Sequence, residues 1–419
     1  MSNWSIFKFG GASVKDPEAL RNAVRLVRDY GTSPLLVVVS AMGKTTNALE
    51  RYIQARELGD ASGAAAELAE IKVFHEGMAR ELGLLDPELR GQLDALWAEA
   101  EHVDSAQAYN PRYDAVVSLG ELASSRILAA ALRADGQPTA WLDAREVVRT
   151  DAEYRRATVN WSETAARTQR ALAAPAAVTV TQGFIGSAPD GSTTTLGREG
   201  SDYSAAIFAN VLKASSLSIW KDVPGMLSGD PKVFTGVVRL EQVPYREAIE
   251  LAFYGASIIH PKTIQPLEQG GTTLRIRSFV DPEAPGTEVG PFAALTPEVP
   301  CWIRHENQVL IDVSSRDLSF LSEGHLSEVY RIFAEEGLLV RAAQHTALST
   351  RFAVNDDRVA VPRALERLNG PYRATAEYGL RLTTVRRPDA EAVATLLAGG
   401  PLRLVLRNHE VAQVLTAPN

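Results

Sequence analysis

The 419-residue chain contains a single cysteine, Cys301, which excludes an intramolecular disulfide and a cysteine-based zinc site and gives no reason to place the protein in an oxidising compartment. Its seven histidines show no metal-ligand spacing, so no resident metal site is expected, and His260 before Pro261 reads as structural. Long apolar runs are missing too. The strongest, Leu35 to Val39, is far short of the ~20 residues that cross a bilayer, and the opening MSNWSIFKFGG has no basic region followed by an apolar stretch. A cytoplasmic protein without a membrane partner is expected. Nor is there a basic excess: 43 Lys and Arg stand against 51 Asp and Glu, a net charge of -8, which removes the broad positive footprint of a nucleic-acid binder. Any polyanionic ligand must be met by local cations.

What remains is the composition of an ordinary folded protein, 45% hydrophobic and 22% charged, long enough at ~150 residues per domain for two or three domains. Ser5 to Phe9 predicts a short strand entering Gly10-Gly11. Asp16-Pro17 then reads as a helix cap and first turn, with Leu20, Val24 and Val27 at helical spacing up to Gly31. Leu35 to Val39 is the uninterrupted aliphatic run of a strand covered on both faces. A strand, helix, strand order implies a parallel sheet. Leu49 to Ala108, rich in Ala, Leu and Glu, is expected to be mostly helical, forming a lid or an interface. The α/β rhythm resumes with a helix over Leu119 to Leu132, a strand over Ala177 to Gln182, a helix over Ser201 to Leu212 and a strand over Ser216 to Trp220. A helix over Tyr245 to Tyr254 and a strand over Thr273 to Phe279 follow. Asp281 to Thr287 with Pro291, Pro297 and Pro300 reads as a domain boundary.

Beyond it the order becomes β-α-β-β-α-β, the ferredoxin-like pattern: strands at Val309 to Val313, Leu338 to Ala342, Ala347 to Val354 and Tyr372 to Glu377, helices at Leu326 to Phe333 and Val361 to Leu368. A shorter echo, strand, helix, strand, strand, runs over Leu380 to Val385, Ala390 to Leu397, Leu402 to Leu406 and Val411 to Leu415.

Four turns in the first 285 residues carry the glycines, hydroxyls and cations that meet an anion. In Lys8-Phe9-Gly10-Gly11-Ala12-Ser13 a lysine stands two residues before a Gly-Gly turn; a surface lysine beside a tight turn fits that pattern equally well. Ser40 to Asn47 contains Gly43-Lys44-Thr45, but position 38 is Val, not the glycine that a Walker A loop needs five residues before its Gly-Lys pair. Thr193 to Asp202 opens a helix with glycines around it and offers the Arg198 fork to a carboxylate, although Asp202 alone is also a simple helix-dipole partner. Trp220 to Lys232 leaves a strand end, where α/β sheets bind ligands, with Lys221 and Lys232 available to phosphates and Asp222 to a ribose or base. Pro-Gly and Asp-Pro pairs are also common turn residues.

These segments, with Ser118-Leu119-Gly120-Glu121, Thr181 to Gly186 and Gly255 to Pro261, occur in the order and spacing of aspartate kinases, and the chain resembles that family over nearly its whole length. The resemblance implies an α/β amino acid kinase sandwich with a mainly parallel sheet over residues 1–285. After it come α+β modules of the ferredoxin-like ACT type, one over 300–378 and a second, shortened one over 379–419. It implies phosphorylation of the L-aspartate side-chain carboxylate by ATP with Mg2+, giving 4-phospho-L-aspartate, the first step toward lysine, threonine and methionine. Cations and glycine-rich turns suit such chemistry, because phosphoryl transfer relies on positioning and charge neutralisation and the attacking carboxylate is already ionised. Carried over by position, Lys8 bridges the transferring phosphoryl group, Gly10, Gly11 and Ser13 cradle it, and Asp202 orients the site. Ser40, Thr46, Glu121, Arg198 and Ser201 hold aspartate, Glu121 receiving the ammonium and Arg198 a carboxylate. Lys221, Asp222 and Lys232 line the nucleotide pocket.

Three positions depart from the family pattern: Ala12 replaces a threonine, Leu227 a tyrosine and Ser257 a lysine, the last removing a cation for which Lys232 or Lys262 is the nearest substitute. The alternatives are another amino acid kinase, acting on glutamate, N-acetylglutamate or carbamate, and a non-catalytic amino-acid sensor on the same scaffold. The early stop of the second module leaves a strand edge to cover. A homodimer or higher homo-oligomer formed through residues 300–419, with lysine or threonine as an allosteric ligand, is therefore expected.

Overall fold

The structure, a computed structural model, describes residues 4–104, 106–256, 258–317 and 319–418. Two compact units emerge, one holding the residues up to Met226, Arg239–Ile249 and Ile258–Thr296, the other Leu227–Val238, a short stretch from Glu250 and the residues from Pro297 onward.

Strands of the first unit are β1 (Ser5–Phe9), β2 (Leu35–Val39), β3 (Thr139–Leu142), β4 (Val178–Gln182), β5 (Ile185–Ser187), β6 (Thr193–Thr195), β7 (Ser216–Lys221), β8 (Gln242–Pro244), β9 (Thr273–Ser278) and β10 (Thr287–Gly290). Its helices are α1 (Pro17–Tyr30), α2 (Thr45–Glu57), α3 (Ala61–Glu81), α4 (Pro87–His102), α5 (Tyr109–Val117), α6 (Leu119–Ala134), α7 (Ala144–Val147), α8 (Trp161–Ala171), α9 (Gly200–Leu212), the start of α10 (Tyr245–Tyr254) and α11 (Pro261–Gly270). One sheet runs β3-β4-β2-β1-β7-β9-β10-β8, parallel from β3 to β9, with β10 antiparallel to β9. The proline-rich stretch read as a boundary thus carries a further strand, β10.

Burial follows from the sequence. Each residue of β1, β2 and β4 is buried, because α6 packs on one face of the sheet and α9 on the other. Full burial of one such aliphatic side chain contributes about 1.5–3 kcal/mol, and so the uninterrupted Leu-Leu-Val-Val-Val run is needed in β2. Asp16 caps α1 by accepting from the Ala19 amide at 2.8 Å. Tyr109–Ala134 is long and apolar enough to cross a membrane by length and composition, yet 83% of its most apolar window is buried inside the protein, as in the core helix of a globular fold. Glu121 rides into the core on this helix.

The second unit carries β11 (Cys301–Ser314), α12 (Glu323–Glu335), β12 (Val340–His345), β13 (Ser349–Asn355), α13 (Ala360–Leu368), β14 (Arg373–Arg386), α14 (Ala390–Leu397), β15 (Leu402–Arg407) and β16 (Val411–Thr416). Its strands make one sheet, ordered β12-β13-β11-β14-β16-β15. The strands expected at Tyr372 to Glu377 and Leu380 to Val385 are two halves of β14. The front of β11, Cys301–His305, pairs with the back of β14, which pairs with β16. A strand from the beginning of the region therefore sits beside the echo at its end and covers the inner edge of that half. Register shifts between His305 and Leu310 mark the point where β11 passes from one half to the other. Helices α12 and α13 cover Val309, Ile311, Phe352 and Val354, and α14 covers Val385, Ala412 and Val414.

Candidate active site

Residues paired across a parallel ladder point to the same face of a sheet. Lys8 pairs with Ile219, so Lys8 and, two residues on, Lys221 face the same way. Helix α9 lies on that face and brings Asp202, in its first turn, between them. The Lys8 ammonium stands 2.6 Å from one Asp202 oxygen and the Lys221 ammonium 3.2 Å from the other; Lys221 also donates to the Ile258 carbonyl. Burial works against the charged form of Asp202, but Lys8 and Lys221 outweigh it and hold the carboxyl below its usual range. One carboxylate thus fixes two ammonium groups at the C-terminal ends of neighbouring strands, where a parallel sheet binds its ligands.

Small residues let the surrounding loops close up. A Cβ on Gly11 would stand 2.7 Å from the Ala41 carbonyl and 3.0 Å from that of Gly43, so the loops after β1 and β2 meet backbone to backbone, and the Gly43 amide donates to the Gly11 carbonyl at 3.0 Å. Across the site, a Cβ on Gly183 would lie 2.7 Å from Ser201 Cα, and the chain enters α9 through Glu199 in a left-handed conformation.

A cleft of about 560 Å³ opens here, lined by Lys8, Ser40, Thr46, Glu121, Arg198, Ser201, Asp202 and Lys221 among others. Eight of the sequence-predicted residues therefore meet. Glu121 is 3% exposed. Burial pushes its carboxyl up to about 8, against the pull of the Ala41 amide, its own amide and Lys8, and its Oε2 has no hydrogen-bond partner. Such an oxygen is costly unless a cation reaches it.

The same cleft holds Phe184, from the Thr181 to Gly186 segment, and three residues that the sequence did not single out: Glu50, Tyr113 and Arg155. Tyr113 donates to Glu50, and the Arg155 guanidinium stacks 4.3 Å from the Tyr113 ring centroid. Buried Asp114 organises this wall, accepting from the Arg155 amide at 2.9 Å and from the Thr195 amide and hydroxyl, each at 2.8 Å. Nothing local marks these positions, since Tyr113 and Arg155 lie on a helix and a turn far apart in the chain and converge only through Asp114.

Other expected residues lie elsewhere. Gly10 is next to the site, its Cβ position 3.5 Å from Lys8 Nζ. Ser13, whose hydroxyl reaches the Trp220 carbonyl at 3.4 Å, and Asp222 line a separate depression with Asp16 and Phe279. Lys232 is exposed and groups with the second unit. Ser257 lies outside the described residues. His260 accepts from the Lys262 amide at 3.1 Å and caps α11. Among the described residues no group of three or more His, Cys, Asp or Glu is placed to hold a metal ion.

Residues 3–278 match the amino acid kinase family. The lysine-sensitive aspartokinase 3 of Escherichia coli is 31% identical over 92% of this chain and 87% of its own length. A bifunctional aspartokinase/homoserine dehydrogenase 2 of Zea mays is 31% identical over 86% of this chain, which spans only 41% of that longer protein. In crystal structures of E. coli aspartokinase III the fold superposes with a TM-score of 0.83 at 28% identity for the complex with lysine and aspartate, and 0.80 at 27% for the complex with aspartate and ADP. Each match covers 99% of this chain and 96% of the other. Sequence and fold agree over both units, and the chain belongs to the aspartokinases of the amino acid kinase family.

Proposed function

We infer that the cleft transfers the γ-phosphoryl group of ATP to the side-chain carboxylate of L-aspartate, giving 4-phospho-L-aspartate and ADP at the entrance to lysine, threonine and methionine synthesis. The observation that carries this reading is the buried, unpartnered Glu121 oxygen in the same cleft as the Lys8–Asp202–Lys221 cluster. A ligand with an ammonium group satisfies that oxygen, and a ligand with phosphate satisfies the lysines. N-acetylglutamate and carbamate bring no ammonium. E. coli aspartokinase III binds aspartate and ADP, in line with both halves of the reading.

Aspartate would set its ammonium on Glu121 and its α-carboxylate on Arg198, with Ser40, Thr46 and Ser201 around it and the Arg155–Tyr113 wall closing the far side. Its side-chain carboxylate is ionised at neutral pH and attacks without a base. The barrier lies in bringing two anions together, and Lys8 and Lys221 lower it by spreading their charge over the transferring group. Asp202 keeps both lysines pointed into the cleft. Gly10 and Gly11 let backbone approach the phosphates, while Ser13 and Asp222 would lie toward the rest of the nucleotide. Since the described residues offer no carboxylate cage, Mg2+ would enter on the nucleotide's phosphates.

For the second unit, we propose a regulatory role as a homodimer that binds lysine or threonine, as the lysine-sensitive E. coli relative suggests, in a cytoplasmic enzyme. A hydroxamate assay for acyl phosphate with aspartate, glutamate and N-acetylglutamate, each with MgATP, tests the activity. Product with aspartate alone is expected; product with glutamate or N-acetylglutamate, or none with any of the three, refutes it.

A further inference from the structure

The two halves of the second unit's sheet are covered unequally. Two helices, α12 and α13, lie over the first half, whereas α14 alone packs on the second, and the segment around Phe234 lies beside it. Trp302 ties that segment down, its amide donating to the Ser228 carbonyl at 2.6 Å and its ring 5.5 Å from that of Phe234. Between them remains a cavity of about 450 Å³, within the ~300–1,000 Å³ of small-molecule sites.

Its walls have one sign of charge. Arg304 and Arg381 both line it, with Thr383 and Thr416 between and beside them, and no acidic side chain does. Thr383 pairs with Arg304 across β11 and β14, and Thr416 with Arg381 across β14 and β16, so all four project from the same face. Arg381 is held by Glu306 at 2.9 Å. Arg304 is left without such a partner: its Nε is buried with no hydrogen-bond acceptor, and its guanidinium rests 4.8 Å from the Phe234 ring centroid. Burial and the neighbouring Arg381 charge work against its protonated form, opposed by the weaker pull of Glu306. An arginine fork beside hydroxyls is suited to a carboxylate, and Trp302, Phe234 and Leu396 supply an apolar lining next to it.

We propose that this cavity binds a small organic carboxylate, its anionic head on Arg304 and Arg381 and its apolar body against Trp302 and Phe234. The site is built within the second unit of one chain, apart from the cleft that holds Lys8 and Glu121. A plain dianion leaves the apolar wall uncovered, and a cation is repelled.

Calorimetric titration of the full chain with benzoate, inorganic phosphate and benzylamine, with saturating L-aspartate and ADP present to fill the cleft, tests this. Saturable benzoate binding, weakened tenfold or more by Arg304→Gln and by Arg381→Gln while kinase activity persists, is the expected result. Benzoate binding indifferent to both substitutions, equal binding of benzylamine, tighter binding of phosphate, or no saturable binding up to 10 mM, a ceiling of roughly -3 kcal/mol, overturns it. Should either variant fold poorly, hydrogen exchange on the unsubstituted chain decides. Benzoate should slow the amides of residues 233–238 and 381–383, and unchanged exchange there refutes the site.

Discussion

Glu121→Gln should stabilise the free protein at alkaline pH while it cripples aspartate use. Burial pushes the Glu121 carboxyl up to about 8, whereas in the unfolded chain it returns to ~4.3. A carboxyl raised by folding contributes stability that is complete below the unfolded value and is lost as pH climbs through the folded one. Above pH 8 the wild type therefore holds a buried, partly unsatisfied anion. At ~1.4 kcal/mol per pH unit, the interval between the two values bounds the loss at about 5 kcal/mol. Glutamine is neutral throughout and escapes it. Thermal unfolding from pH 5 to 9 should show the two proteins nearly level at pH 5 and the variant several degrees more stable at pH 8.5, since ~1 kcal/mol moves the midpoint of a domain this size by a few degrees at most. Aspartate reverses the order, because its ammonium satisfies the charge that water cannot reach. Wild-type kcat/KM for aspartate should rise about tenfold per pH unit and level off near pH 8; in the variant it should be low and lack that slope. A stability difference that does not change with pH, or a variant that is the less stable at pH 8.5, would refute the assignment of a burdened carboxylate waiting for an ammonium.

Four further outcomes are expected. Lys8→Ala should lower kcat on the order of 10²-fold or more in a folded protein, and near-normal turnover would remove Lys8 from phosphoryl transfer. Arg198→Ala and Arg155→Ala should each raise the aspartate KM by roughly 10–100-fold, the range of a lost charged hydrogen bond, with little change for ATP; the reverse pattern means the subsites are exchanged. Gly11→Ala, whose Cβ would meet two backbone carbonyls, should cost about 1–3 kcal/mol and slow catalysis, and an unchanged melting midpoint would show that the two loops are free to separate. Light scattering with activity assays should find at least a dimer inhibited by lysine or threonine, and a monomer indifferent to both would leave the second unit without the regulatory role proposed for it.

The amino-acid sequence by itself determined most of the first unit. The aliphatic run Leu35–Val39 reads as a doubly covered strand, Asp16-Pro17 followed by apolar residues at helical spacing reads as a helix start, and the glycine turns after β1 and before α9 read as places suited to an anion, because these signals are local. Together with the helix read over Leu119 to Leu132, they put Lys8 on β1, Glu121 on α6, Arg198 in the turn before α9 and Asp202 on α9, while the roles of these residues are what the family resemblance implies. Tertiary structure alone decided that both lysines share one carboxylate, since this depends on the register of β1 against β7. It alone decided that Tyr113 and Arg155 form a wall, since buried Asp114 joins them to Thr195 across 81 residues of chain. The second unit shows the limit most plainly: Cys301–His305 lies beside Leu382–Arg386, and no periodicity within either segment announces its partner. Pairing between distant strands is fixed by which faces must be buried together. That is a property of the assembled sheet, and it is also what leaves Arg304 and Arg381 facing an open cavity.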